Sequence, residues 1–118
     1  MTALAAISLA NALYPNAYEP ALKLKWLTTL EASLYRDVLS WHADAPEAPL
    51  ACTDDTALIA QEPYGTLYVD YLAAMMSMLD GEYERYTNAM LRYNAAYCAF
   101  ANHYNRTHMP ARTRGVHF

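Results

Sequence analysis

Glycine is scarce in this chain, with three in 118 residues, and there is no alternating run of β-branched side chains long enough to make a strand. Sheet architectures are therefore excluded in favour of helices. No apolar stretch approaches the roughly 20 residues a membrane-spanning helix needs. The apolar N-terminus, with its Ala10-Asn11-Ala12, imitates a secretory leader, but no Lys or Arg precedes Lys23. Without a positive n-region, residues 2–13 are expected to form a short amphipathic helix with Leu4 and Ile7 inward and Leu9 and Leu13 as further candidates for the inward face. The two cysteines, Cys52 and Cys98, have a spacing that demands no bridge, and free thiols are expected. There is no phosphate-cradling glycine loop, no nucleophile beside a base and no paired-carboxylate motif, so no catalytic residue is assigned and a non-enzymatic role is expected.

Aromatic residues are abundant instead, with eleven tyrosines, two tryptophans and two phenylalanines. Seven large side chains, Tyr83, Tyr86, Met90, Tyr93, Tyr97, Phe100 and Tyr104, are separated alternately by three and four residues. That spacing predicts a helix of more than twenty residues with one aromatic seam. Five of the seven are tyrosine, so the seam is apolar in body and polar at its tips, suited to helix or subunit contacts. At 118 residues the chain fits a single domain with one modest core. Its aromatic surplus points to a homo-oligomer.

Charge is sorted along the chain. Residues 37–84 hold ten acids and no Lys or Arg, and residues 85–118 hold five arginines and no acid. Faces of opposite sign on identical subunits permit head-to-tail association, which forms a ring when the rotation closes. Around this lie further elements: a helix opened by Pro20 and running to about His42 with Leu22, Trp26, Leu30, Leu34 and Val38 inward; a long acidic loop over 43–62 with a turn at Asp54-Asp55; and a helix opened by Pro63 with Tyr64, Leu67, Tyr68, Tyr71, Leu72, Met75 and Leu79 on its apolar face. Asp80-Gly81 is read as either a tight turn or a kink, with local chemistry favouring the break. The expected fold is all-α, a small bundle of about four helices over residues 1–108 followed by an extended basic tail, 109–118.

Cys98, His103 and His108 are spaced by five, which sends them to diverging helix faces, so neither metal nor cofactor is assigned. In the tail, Arg106, Arg112, Arg114, His117 and Phe118 are candidates for docking on a neighbouring protein, whereas the net charge of −4 argues against general nucleic-acid binding.

Several blocks carry a resemblance: Ala12 to Tyr18, Lys23-Leu24-Lys25-Trp26-Leu27, Glu62-Pro63-Tyr64, Leu67 to Leu72, Asp80 to Tyr86, and Phe100 to His108. Together they resemble the head-to-tail connector, or adaptor, family of tailed phages over roughly residues 8–110, with no counterpart for the 43–62 loop or the tail. The resemblance implies a virion protein, made in the host cytoplasm and located in the neck between capsid and tail. It implies a ring, usually of about twelve subunits, that docks on the portal protein and bridges it to the stopper or tail-completion protein, with DNA passing through. The family's motifs are structural. Two other readings stay open: a stopper or tail-end completion protein of the same particle, and a small cytoplasmic regulator that binds a partner or DNA through its basic tail.

Overall fold

The computed structural model describes residues 1–110, so Arg112, Arg114, His117 and Phe118 lie outside the described residues. Four α-helices and no strand occur among them: α1 (Ala3–Leu13), α2 (Pro20–Asp37), α3 (Thr66–Leu79) and α4 (Tyr83–Thr107). The molecule is an all-α bundle, extended to 50 × 29 × 21 Å. Most of its length comes from α4, whose 25 residues span about 37 Å.

Asp80-Gly81 is a turn. Gly81 takes φ 76°, its N–H donates to Met78 O at 3.2 Å, and the Glu82 N–H donates to Ser77 O at 2.9 Å. That pair of bonds is the Schellman motif, which satisfies the last carbonyls of α3 and needs a residue free to adopt positive φ. The chain then runs antiparallel, so that Tyr71 meets Tyr93 and Tyr64 meets Phe100. The two helices form a long hairpin with α1 and α2 packed against it.

Two expectations for α1 and α2 are corrected. In α1 the inward face is Ala3, Ala6, Ile7 and Ala10, while Leu4, Leu9 and Leu13 are 48%, 42% and 58% exposed. Alanines let the backbone of α1 approach the bundle closely, and leucines there would hold it off. In α2 the helix stops at Asp37, followed by one turn of 3₁₀-helix, Leu39–Trp41, which leaves Trp41 68% exposed. The buried face of α2 is Lys23, Leu27, Leu30, Glu31 and Leu34. α3 begins at Thr66, a turn later than Pro63 suggests, and Leu79 at its end is 52% exposed.

Residues 43–62 contain no helix and turn at Asp54-Asp55, yet this loop is part of the interior. Cys52, Leu58 and Ala60 are buried. The loop also completes α1: the Ala3 and Leu4 amides donate to Thr56 O and Asp54 O at 2.9 and 3.0 Å, and Leu58 N–H donates to Met1 O at 3.0 Å. With Thr2 Oγ1 accepting from the Ala5 amide at 3.2 Å, the free N–H groups that begin any helix find partners.

Candidate functional site

Most of the aromatic seam of α4 is spent within its own chain. Phe100 is buried, and Tyr86, Met90, Tyr93, Tyr97 and Tyr104 are half-buried against α3 and the core, whereas Tyr83 at the tip of the hairpin is 72% exposed. Neighbouring rings touch along the seam, Tyr93 with Tyr97 at 6.1 Å and Phe100 with Tyr104 at 5.9 Å between centroids. None of the five seam hydroxyls is a buried atom lacking a partner. Desolvation pushes the Tyr93 phenol up to about 12, and moves Tyr97 and Tyr104 upward for the same first cause.

At the far end of the hairpin the seam opens into a pocket of about 380 Å³. Tyr64 and His103 form one wall, their rings 5.1 Å apart. Tyr104 and His108 form the other, stacked at 3.7 Å and 5°. Phe100 lies between, and Glu62 supplies the carboxylate. His108 is positioned by its own helix end, with Nδ1 3.0 Å from Tyr104 O, and its Nε2 lies 3.8 Å from Asp44. Behind Tyr104, His42 is buried with Nε2 2.8 Å from Asn105 Oδ1 and its ring edge-on to Tyr104. His103 and His108 therefore share one site despite their spacing, while Cys98 is exposed elsewhere on α4. Both cysteines are free. Among the described residues no group of three or more His, Cys, Asp and Glu has the arrangement to hold a metal ion.

A second polar centre lies inside the bundle. Glu31 is 2% exposed, and its carboxylate accepts the Ile59 N–H at 2.8 Å and the Tyr68 hydroxyl at 2.5 Å. The same hydroxyl accepts the Ala60 N–H at 2.8 Å. Burial raises the Glu31 pKa against the opposing pull of these two donors, and burial beside Glu31 raises that of Tyr68. This network fixes the otherwise irregular loop to α2 and α3, a structural use of a buried charge. Lys23 is also 2% exposed, its Nζ donating to Asn11 Oδ1 at 2.7 Å, and desolvation lowers its pKa.

The sorted charges partly cancel on folding. Arg92 Nε pairs with Asp70 at 3.2 Å and Arg85 with Asp80 at 3.9 Å, so two of the five C-terminal arginines meet the acidic segment within the hairpin. Arg92 also donates to Tyr14 Oη at 2.8 Å, Arg85 sits over the Tyr14 ring, and Tyr18 donates to Asp80, which ties the α1–α2 connection to the hairpin tip. Arg106 stays exposed at the other end of α4.

The sequence places Tyr64 on an apolar helix face and gives neither the pocket role of Glu62 and Tyr64 nor the burial of Lys23 and Glu31. The spacing of Lys23, Leu27, Glu31 and Leu34 by four, four and three does place those charges on an inward face. No protein-family model, curated protein or solved structure matches this chain.

Proposed function

We propose that this chain is a non-catalytic structural subunit of a tailed-phage neck, a connector protomer that forms a ring on the portal protein and bridges it to the tail-completion protein. The observation that carries the proposal is the exposed apolar surface at the two ends of the α3–α4 hairpin. At the tip, Met78, Leu79 and Tyr83 are 41%, 52% and 72% exposed beside the acids Glu82 and Glu84. At the opposite end Trp41 and Met109 are 68% and 65% exposed, and Arg106, Asp44 and Glu62 lie at the same end. Large apolar side chains exposed at both ends suit a contact that repeats head to tail between copies. The helical body and the resemblance of the residue blocks to those of connectors support the same reading.

The test is binding of the purified chain to the portal protein of the same particle and, separately, to duplex DNA, both at physiological salt. Portal binding with ring-shaped density is the expected result. Retention on DNA with no portal association would overturn the proposal in favour of a regulator. Reversing the tip charge with Glu82→Lys and Glu84→Lys is expected to weaken assembly, and adding Arg106→Glu is expected to restore part of it.

A further inference from the structure

We propose that the pocket between Tyr64/His103 and Tyr104/His108 is a receptor for an arginine guanidinium, delivered by the C-terminal sequence of a second copy of this chain. The lining decides the chemistry. It contains one carboxylate, Glu62, and neither Lys nor Arg, so a cation is complementary to it. The walls are aromatic faces, and a stacked Tyr104–His108 pair at 3.7 Å already shows the spacing that a further flat group would adopt. A guanidinium is flat, stacks on aromatic rings and presents a fork of N–H donors that fits a carboxylate, whereas a lysine ammonium is a compact, strongly hydrated charge that gains less from such walls.

The Glu62 carboxylate lies close over the backbone of Gly65. A Cβ added to Gly65 would lie 2.5 Å from Glu62 Oε1, so the absence of a side chain at 65 is what lets the Glu62 carboxylate settle there. A volume of about 380 Å³ is at the small end of ligand cavities, about 300–1,000 Å³, and suits one long side chain better than a large metabolite.

The source of the arginine is argued from charge. Residues 106–118 carry Arg106, Arg112 and Arg114 and no acid, which matches a pocket lined by the Glu62 carboxylate with Asp44 beside its wall residue His108. That the donor is a second copy rests on the ring reading above. In such a ring each copy would offer one receptor and one basic segment, a heterologous contact that a closed ring satisfies at every position.

The test is a titration of the isotopically labelled full chain with a peptide of residues 106–118, followed by NMR at Tyr64, His103 and His108. Saturable shifts confined to these residues are expected. Replacing the peptide's arginines by citrulline, which keeps the shape and removes the charge, is expected to weaken binding at least tenfold, as is Glu62→Gln in a chain whose circular dichroism and melting are unchanged. Equal binding of the citrulline peptide, an unaffected Glu62→Gln variant, or shifts centred away from the pocket would overturn the proposal. So would N-acetyl-arginine amide binding as tightly as the peptide, which would assign the pocket to a free cation. Portal protein is absent from this titration, so its outcome and that of the portal-binding experiment are read independently.

Discussion

Replacing Tyr68 by Phe tests whether the Glu31 network holds the loop to the bundle. Tyr68 is fully buried, and its hydroxyl makes two bonds, donating to Glu31 and accepting from the Ala60 amide. Removing one oxygen deletes a bond to a carboxylate, a loss of about 1.5–3 kcal/mol, and strands a buried N–H at a further cost of about 1–3 kcal/mol. Because the two losses share one site and the loop can relax, a combined destabilisation of about 3–5 kcal/mol is expected near neutral pH. That is a large part of the about 5–15 kcal/mol available to a domain of this size. The penalty also has a pH signature. The Tyr68 hydroxyl lowers the Glu31 pKa, while desolvation raises it, so the variant's Glu31 shifts further upward. A carboxyl whose folded pKa exceeds its unfolded value contributes stability that is complete below the unfolded value, about 4.3, and is lost as pH climbs through the folded one. Tyr68→Phe is therefore expected to cost less at pH 5 than at pH 8, since the more Glu31 is protonated the less it needs a donor for a buried charge. Urea unfolding followed by circular dichroism at both pH values measures this, with Glu31→Gln/Tyr68→Phe as the control in which the pH-dependent part disappears. A loss below about 1 kcal/mol, or an equal loss at the two pH values, refutes the assignment.

Gly81→Ala is expected to cost about 1–2 kcal/mol through backbone strain alone, because φ is 76° and nothing lies within 4 Å of the added Cβ; a thermal melt unchanged within 1 °C would contradict the Schellman geometry. Tyr93, with its phenol pushed up to about 12, contributes stability that is complete below pH 10 and is lost between pH 10 and 12. Two pKa units correspond to about 2.7 kcal/mol, and partial exposure reduces this to about 1–2, so Tyr93→Phe should flatten the alkaline part of the stability profile by that amount. Cys98 is exposed, whereas Cys52 is buried with its thiol pKa raised by desolvation. A thiol reagent at pH 7.5 is expected to label one site rapidly and the second about tenfold or more slowly, and Cys98→Ser should abolish the fast phase.

The long helix was legible because its pattern is one-dimensional: large side chains three and four apart must share a face whatever they pack against. The Asp80-Gly81 turn was legible for a similar reason, since few residues other than glycine close a Schellman motif without strain. α1 was misread because size was taken as the sign of burial. Packing distance decides that question, and a helix lying close to its neighbours buries Ala3, Ala6 and Ala10 while Leu4 and Leu13 stay outside. The buried ions are a harder case. Lys23 and Glu31 keep the inward register of Leu27 and Leu34, but burial of Glu31 becomes tolerable only because residues 59 and 60 and the Tyr68 hydroxyl complete its hydrogen bonds, and Ile59 lies 28 residues away in sequence. The pocket depends on a similar long-range event, the meeting of Tyr64 before α3 with His103 and Tyr104 near the end of α4.

The same geometry decides which features are left for assembly. A seam of five tyrosines reads in sequence as surplus apolar surface, but most of it covers α3 and the core, and Arg85 and Arg92 find acids across the hairpin. What remains outward includes Leu79 and Tyr83 at the tip and Trp41 and Met109 at the opposite end, besides Leu50 and Leu91 elsewhere. The two ends are separated by about the 37 Å length of α4, several times the roughly 8 Å over which charges act at physiological salt. Glu82 and Glu84 at the tip therefore exert almost no pull on Arg106 of the same copy, and are free to act on an arginine of the next. At that ionic strength their role is to orient the approach, and affinity has to come from the exposed Tyr83, Leu79 and Trp41. In the ring proposed here, Tyr83→Ser should therefore weaken assembly at every salt concentration, whereas the effect of Glu82→Lys should fade as salt is raised; the opposite pattern in sedimentation of the portal complex would mean that the ends are not the contact.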